Sequence, residues 1–316
     1  MPVEASRVMA RKDIRPTIFA AGYKGALFVA KLIEAGIRPL RIATYRQVGD
    51  KSGSFDTIVA LAREHGMAAE DNRHPAVNGD DRLVLLVGWQ FKLRNGLDRC
   101  IVLHDSLLPR DRGFSPTVTA LLVGSGTLGV SAIQPDEETD TGAIYGSRSI
   151  AVRPGISLKM ALELQAAATV DLALEILRET ASGTLAGRPQ DHSAATYCLW
   201  RDRYDYFIDW RLRANEVLRW VQALGFPYEG AKGVLNGEVL TIEQAAIGPD
   251  LSFKLHDPGK LWQIADRRAL VICGAGTLWI ERASDAAGNP YRFKSLRSRF
   301  LTADNAWITP FLDPKA

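Results

Sequence analysis

Residues 99–106 read RCIVLHDS, a continuous apolar run that ends on His104 and Asp105. A short strand apolar at every position is buried on both faces, as in the centre of a parallel sheet. Residues 82–89, RLVLLVGW, repeat the pattern. Upstream, TIFAAG from Thr17 is a third such run, and GALFVAKLIEAG carries helical spacing with a glycine stop. PLRIATY then predicts a strand and SFDTIVALAREHG a helix capped by its Ser or Asp. Downstream, TVTALLVGSG predicts a helix, TLGVSAIQ a strand, and SLKMALELQAAATVDLALEILRETASG a long amphipathic helix. Strands alternating with helices imply a Rossmann-like parallel α/β sheet with helices on both faces. Ligands of such sheets sit at the carboxyl ends of the strands, which is where His104 falls.

Near residue 190 the character changes. SGTLAGRPQDHSAATY is rich in small, turn-forming residues and reads as a linker. One helix follows, ANEVLRWVQALG, and then short apolar runs broken by NG, PG and GAG, the pattern of a small OB-like β-barrel. The expected domains are therefore residues 1–190 and residues 191–316. Trp200, Trp210 and Trp220 fall ten apart and predict core or interface packing.

Composition narrows the class. The chain has 316 residues, is 47% hydrophobic and carries a net charge of +3, too little to imply a polyanionic partner. Cys100, Cys198 and Cys273 are few, odd in number and widely spaced, which argues against disulfides or a metal cluster and predicts a cytoplasmic protein. No apolar run has the length of a membrane helix, and MPVEASRVMARKDIRP lacks the apolar core of a signal peptide.

The candidate chemistry lies at His104. Thirty-six residues beyond it, DEETDTG supplies an acidic loop with Asp140 just before Thr-Gly. A carboxylate beside an imidazole orients the ring and stabilises its charged form, which suits moving a proton to or from an amine attacking a carbonyl. The alternative is a satisfied core histidine beside an unrelated acidic loop.

HDSLLPRDRG, then GSGTLGVSAIQ, then ETDTGAIYG resembles the core of the folate-dependent formyltransferases. DYFIDWRLRANEVLRWVQALGFPYEGAKGVLNGEVLTIEQ resembles the C-terminal barrel of the family's members acting on tRNA and on UDP-4-amino-arabinose. The resemblance implies His104 and Asp140 as catalytic residues and N10-formyltetrahydrofolate as formyl donor. It maps the pterin-contacting loop to Ser106, Leu107, Leu108 and Pro109. Backbone contacts to the pterin edge map to Leu86, Val87 and Gly88 and to the acidic loop, Asp136, Glu137, Glu138, Thr139 and Asp140. Arg112 in RDRG is left between a loop-structuring and a substrate-contacting role.

One position departs from the pattern. The family's asparagine two residues before the histidine, which donates to the oxyanion, is Val102 here. Losing one such donor costs about 2.7–4 kcal/mol of transition-state stabilisation. Three explanations stand. Protonated His104 carries the oxyanion alone, or another amide such as Gln90, Asn95 or Gln134 reaches the same spot; the reaction needs no such donor or is a different transfer from a folate or related donor; or the protein binds ligand without catalysis.

For the acceptor, YRQVGDKSGSFDT holds only Arg46 and Lys51, with Asp50 and Asp56 beside them. From Ala195 to Ala316 there are 16 Lys/Arg and 14 Asp/Glu, a balance of +2. Phosphate-backbone binding needs many unopposed cations, so tRNA is disfavoured despite RFKSLRSR near the C-terminus. A small molecule, a nucleotide-linked amino sugar, fits better, since it offers an amine and a diphosphate that a few Arg or Lys can hold. GYKG, residues 22–25, lies where such a ligand would approach the sheet edge, although a plain polar loop explains it as well. A tRNA-acting paralogue and a non-catalytic folate- or nucleotide-binding protein are the competing readings.

Overall fold

A computed structural model describes residues 14–302. Most of the N-terminal stretch read for a signal peptide, and the end of the chain from residue 303, lie outside the described residues. The chain gathers into two compact units that interleave in sequence. One comprises residues up to Gly113, Leu128–Ile150 and Leu162–Tyr197; the other comprises Phe114–Thr127, Ala151–Ala161 and residues from Cys198 onward.

The first unit is built on seven strands: β1 Thr17–Ala20, β2 Arg41–Thr44, β3 Ala68–Asp71, β4 Val84–Val87, β5 Cys100–His104, β7 Thr127–Ile133 and β8 Ile144–Ala151. A two-residue β6, Arg112–Gly113, pairs separately with β9, Tyr197–Cys198. The sheet order is β3-β2-β1-β4-β5-β7-β8. The first five strands in this order are parallel, and β7 runs antiparallel to β5. A parallel crossover needs an intervening helix that packs back onto the sheet. The only helix between β5 and β7, α3 at Pro116–Val123, belongs to the other unit, so the chain returns in the opposite sense.

The predicted strands at TIFA, RIAT, VLLV and CIVLH are all present, with fully or mostly buried residues. Two strands escaped the reading. β3, AAED, is an exposed edge strand with no apolar pattern, and β8, IYGSRSIA, mixes small, charged and apolar residues. The helix over residues 54–66 forms as α2, Ser54–Glu64, but its cap lies upstream: Gly53 is left-handed, and the Asp50 carboxylate accepts from the amides of Ser52 and Ser54.

The two faces of the sheet are unequal. Ile18, Leu85, Ile101 and Leu103 face α1 (Gly22–Glu34), α2 and α4 (Leu158–Ser182), against Phe28, Leu32, Ile58, Leu172 and Ile176. Each such side chain, fully buried, contributes about 1.5–3 kcal/mol. Phe19, Ala43, Val84, Leu86 and Cys100 point the other way, onto Val77, Trp89 and Leu93 from loops. The sequence predicted helices on both faces. In these buried clusters the helices contribute to one face only, and the other is covered by irregular segments.

In the second unit, β10 Ala231–Leu235, β11 Glu238–Ile247, β12 Leu261–Ala265, β13 Arg268–Ile272 and β14 Thr277–Ser284 form an antiparallel sheet in the order β10-β11-β14-β13-β12. The β10–β11 hairpin turns at Asn236-Gly237, both with positive φ, as a two-residue NG turn requires. Residues 298–301 bridge the two edge strands: Leu261 donates to the Ser298 carbonyl at 3.2 Å, and Leu301 to that of Val234 at 2.8 Å. That bridge makes the unit barrel-like and covers strand edges that would otherwise be open. Trp210 is fully buried and stacks on Phe300 at 4.8 Å. Trp220, on α5 (Ala214–Ala223), donates to the Asp205 carbonyl. Trp200 is 62% exposed, against the expectation of packing. Among the described residues, no helix is long and apolar enough to cross a membrane.

Asp81 ties the starts of β1, β2 and β4 together. Buried, it accepts from Thr17 Oγ1, from Arg41 Nη2 at 2.7 Å and from the Asn78 amide at 2.7 Å. Burial pushes its carboxyl up, but the bonds from Arg41, Thr17 and Asn78 outweigh burial and hold it below the ordinary carboxylate range. A carboxyl with a depressed folded pKa stabilises above its unfolded value, and the stabilisation is lost as pH falls through the folded one. Asp81→Asn is therefore expected to cost about 1–3 kcal/mol at pH 7 in urea unfolding. The gap to the native protein should narrow below about pH 4; a gap independent of pH would refute the role of its charge.

Candidate active site

Side chains alternate along a strand, so Cys100, Val102 and His104 share the sheet face that the helices leave uncovered. Cys100 is buried, and burial pushes its thiol up to about 12, which makes it unsuitable as a nucleophile. His104 is 9% exposed. Its Nδ1 lies 3.5 Å from Asp140 Oδ2, and its Nε2 lies 2.9 Å from the Asp111 carbonyl oxygen. Both ring nitrogens thus face oxygen, and the charged imidazolium is the form that donates to both.

Asp140 reaches this position from the loop between β7 and β8. Its φ is +56°, and its Oδ2 also accepts from the Gly113 amide at 2.8 Å. The loop is closed at its base by a backbone approach that only glycine allows. A Cβ on Gly142 would lie 1.9 Å from the Gln134 carbonyl oxygen. Asp136, Glu137, Glu138 and Thr139 are exposed, and Lys92 Nζ donates to the Glu137 carbonyl at 3.4 Å.

The loop after His104 is pinned to β7 through Ser131, which is fully buried. Ser131 Oγ donates to the Ser106 carbonyl at 2.8 Å, accepts from the Leu108 amide at 3.1 Å and meets Ser147 Oγ at 2.9 Å. Ser106 Oγ donates to the Arg110 carbonyl. Leu107 rests on Gly129, where a Cβ would come within 2.7 Å of the Leu107 nitrogen. Leu108 is buried with Ile133 and Ile144, and Val102 packs against the same cluster. Pro109 is half-buried. Leu86 and Val87 lie buried inside the sheet, and Gly88, just past the end of β4, is exposed.

Of the three amides weighed as substitutes for the missing donor, two are committed elsewhere. Asn95 exchanges hydrogen bonds with the backbone of Val77. Gln134 donates to the Leu97 carbonyl and accepts from Tyr145. Gln90 is exposed beyond the end of β4. Arg112 resolves toward structure: it is 2% exposed, and its Nε and Nη2 lie 3.2 and 2.7 Å from Gln190 Oε1.

Gln165 and the partner of Lys24 were missed in the sequence, which had GYKG only as a place of ligand approach or a polar loop. Lys24 is not in a polar loop. It lies in the first turn of α1, buried, and pairs with Asp105, next to His104. Tyr23 donates to Glu163. Gln165, fully buried on α4, donates to the carbonyls of Asp105 at 3.2 Å and Gly129 at 2.9 Å. The available signal was a lone polar residue inside an otherwise apolar helical stretch, at Lys24 in GYKGALFVA and Gln165 in ELQAAATV. The supposed linker is also tethered. Gln190 is buried, Arg188 exchanges backbone bonds with Ile144, and the Thr196 carbonyl accepts from the Arg112 amide.

Comparison with known proteins bears on the family and the fold. A formyl transferase family model matches residues 91–167, and the model of the formyl transferase C-terminal domain matches residues 202–300. Methionyl-tRNA formyltransferase of Geobacter metallireducens is 32% identical over 275 residues, covering 80% of this chain and 85% of that protein. Methionyl-tRNA formyltransferase of Sorangium cellulosum is 31% identical over 192 residues, 60% of this chain and 61% of the relative, so that match spans less than two thirds of its length. Two solved structures share the fold. HypX from Aquifex aeolicus in complex with tetrahydrofolic acid has a TM-score of 0.60 at 18% identity, over 95% of this chain and 48% of that one. The N-formyltransferase from Helicobacter canadensis, in complex with folinic acid and dTDP-3-aminofucose, has a TM-score of 0.60 at 12% identity, over 88% of this chain and 100% of that one. With a formyl transferase model match, a C-terminal-domain match and a relative 32% identical over 85% of its length, the chain belongs to the formyltransferase family.

Proposed function

We propose that the protein transfers a formyl group from N10-formyltetrahydrofolate to the amine of a nucleotide-linked amino sugar. The observation that carries formyl transfer is the His104–Asp140 pair, held on the helix-free face beside the pinned loop Ser106–Pro109. The residues present suit a pterin, which is flat and rich in donors and acceptors. Leu107 and Leu108 offer apolar cover, while Gly88 and the exposed loop Asp136–Thr139 offer backbone groups, and Leu86 and Val87 form the buried strand end behind them. Asp140 closes that set. Bound there, the folate supplies the formyl group.

The chain's own part is proton handling. In its neutral form, with Nδ1 toward Asp140 at 3.5 Å, His104 accepts the proton of the attacking amine on Nε2, which exchanges the Asp111 carbonyl for that amine. Asp140 stabilises the resulting imidazolium, which then gives the proton to the leaving nitrogen. Val102 provides no donor, so the negative charge developing on oxygen falls to that imidazolium.

Charge pairing favours a small acceptor over nucleic acid. Arg46 is matched by Asp56, Arg213 by Glu216, Lys232 by Glu229, Arg268 by Glu281 and Arg282 by Glu243. Arg299 of RFKSLRSR pairs with Asp257. Cations already opposed by carboxylates release few counterions on a phosphate backbone. The second reading, formylation of an aminoacyl-tRNA, is favoured by the names of the sequence relatives.

Tetrahydrofolate release with amino-sugar nucleotides and with methionyl-tRNA, assayed in parallel over a salt series, separates the two. Turnover is expected with the sugar nucleotide. A folate-binding protein that releases none with any amine would sink the enzymatic reading. His104→Ala and Asp140→Asn are each expected to lower kcat by about 100-fold or more while the fold persists. Val102→Asn is expected to raise kcat by roughly tenfold, part of what an oxyanion donor supplies; an unchanged kcat would show that another group already stabilises the oxyanion.

A further inference from the structure

Asp140 is held at two points, and only one involves its carboxylate. Gln190, 7% exposed, donates from Nε2 to the Asp140 carbonyl at 2.8 Å and to the Gly142 carbonyl at 2.7 Å. Its Oε1 accepts from both Nε and Nη2 of Arg112. Arg112 Nη2 also meets His192 Nδ1 at 3.3 Å. The peptide following Arg112 carries the Gly113 amide, which donates to Asp140 Oδ2. The Arg112 amide is itself fixed to the Thr196 carbonyl at 2.9 Å. Among the described residues no carboxylate pairs with the Arg112 guanidinium. A buried cation carries a desolvation cost that hydrogen bonds must offset, and here they come from a neutral amide and an imidazole.

From this closed circuit we infer that Arg112 and Gln190 are positioning residues that fix the Asp140 carboxylate against His104. The inference rests on the proposed formyl transfer at His104. Gln190 grips the backbone of the acidic loop on both sides of Thr141, and Arg112 grips Gln190. The backbone at Arg112–Gly113 then grips the carboxylate. The segment of residues 188–196 thereby becomes part of the catalytic apparatus. A primary amide suits position 190 because one end must donate to two carbonyls while the other accepts from a guanidinium. Glutamate keeps the acceptor and loses the donors, and leucine loses both.

The test has two arms. In the first, kcat and KM are measured for Gln190→Glu, Gln190→Leu, Arg112→Lys and Arg112→Met. The expected result for Gln190→Glu is a kcat lowered roughly ten- to a hundredfold with KM for the formyl donor within about twofold, because the loop is displaced and not removed. Arg112→Lys should retain more activity than Arg112→Met. In the second arm, the His104 ring carbon–proton NMR signals are compared in the native protein, Asp140→Asn and Gln190→Glu. The Gln190→Glu signals should move toward their positions in Asp140→Asn. Unmoved His104 signals, or a kcat unchanged in a variant that only unfolds more easily, would overturn the inference. If Gln190→Leu fails to fold, Gln190→Glu carries the comparison. The NMR arm needs no turnover, so an absence of formyl transfer in the native protein would refute the activity and still leave the positioning role decided.

Discussion

The two-residue period of β5 divides the work of the first unit. Ile101 and Leu103 go to the helix-covered face and help build the larger core. Cys100, Val102 and His104 go to the opposite face, where loops and not helices provide the cover. A one-residue slip of that strand would exchange the two sets and bury His104 among leucines. The register is fixed on both sides, by Leu86 opposite Val102 on β4 and by Ser131 opposite His104 on β7. The same Ser131 that sets the register spends its hydroxyl on the loop after His104. Strand pairing and site geometry are therefore one constraint.

That constraint explains why the antiparallel return of β7 matters. It brings Gly129 beneath Leu107 and lets the loop before β8 carry Asp140 to His104. A loop reaching that far is held by its ends: the close approach of Gly142 to Gln134 at the base, and Gln190 on the carbonyls of Asp140 and Gly142. On the helical side, Gln165 and Lys24 secure Asp105. Gln190, Gln165 and Lys24 are polar side chains buried with their partners met, an arrangement that fixes one conformation where apolar packing would tolerate several.

The parts of this design that repeat along the chain were legible in the sequence. Apolar runs exposed β1, β2, β4 and β5, and NG exposed the barrel hairpin. The context of His104 and Asp140, the end of a buried strand and an acidic Thr-Gly loop, made them candidates and left a core histidine as the alternative. The family resemblance is what paired them, and the structure brings them within 3.5 Å. What did not repeat was not legible. β3 lies at an exposed edge and carries no alternation, and β8 mixes residue types. Helices on both faces followed from the α/β alternation, yet α3 belongs to the other unit. The stretch around Gln190 has the composition of a linker because small residues let it lie close against Ile144 and Arg112, a tertiary reason that leaves no local pattern. Lys24 and Gln165 each depend on a partner at least 60 residues away.

The substitution at Val102 acts on this frame in two directions. It removes a donor from the face where His104 sits, and it adds apolar contact to Leu108, Ile133 and Ile144. His104 is itself only 9% exposed, and a charge in a drier, less polarisable setting acts more strongly on a neighbouring oxygen. With Nε2 directed at the Asp111 carbonyl and Nδ1 at Asp140, the histidine is oriented before any ligand arrives. On the proposed reading, a site for which the family resemblance implies three polar groups has two here, with the histidine between two oxygen atoms and Val102 given over to packing. On the proposed mechanism such a site depends more heavily on the placement of its carboxylate, because Val102 supplies no donor to share the charge when Asp140 drifts. The extent of the Arg112–Gln190 support is what that dependence calls for.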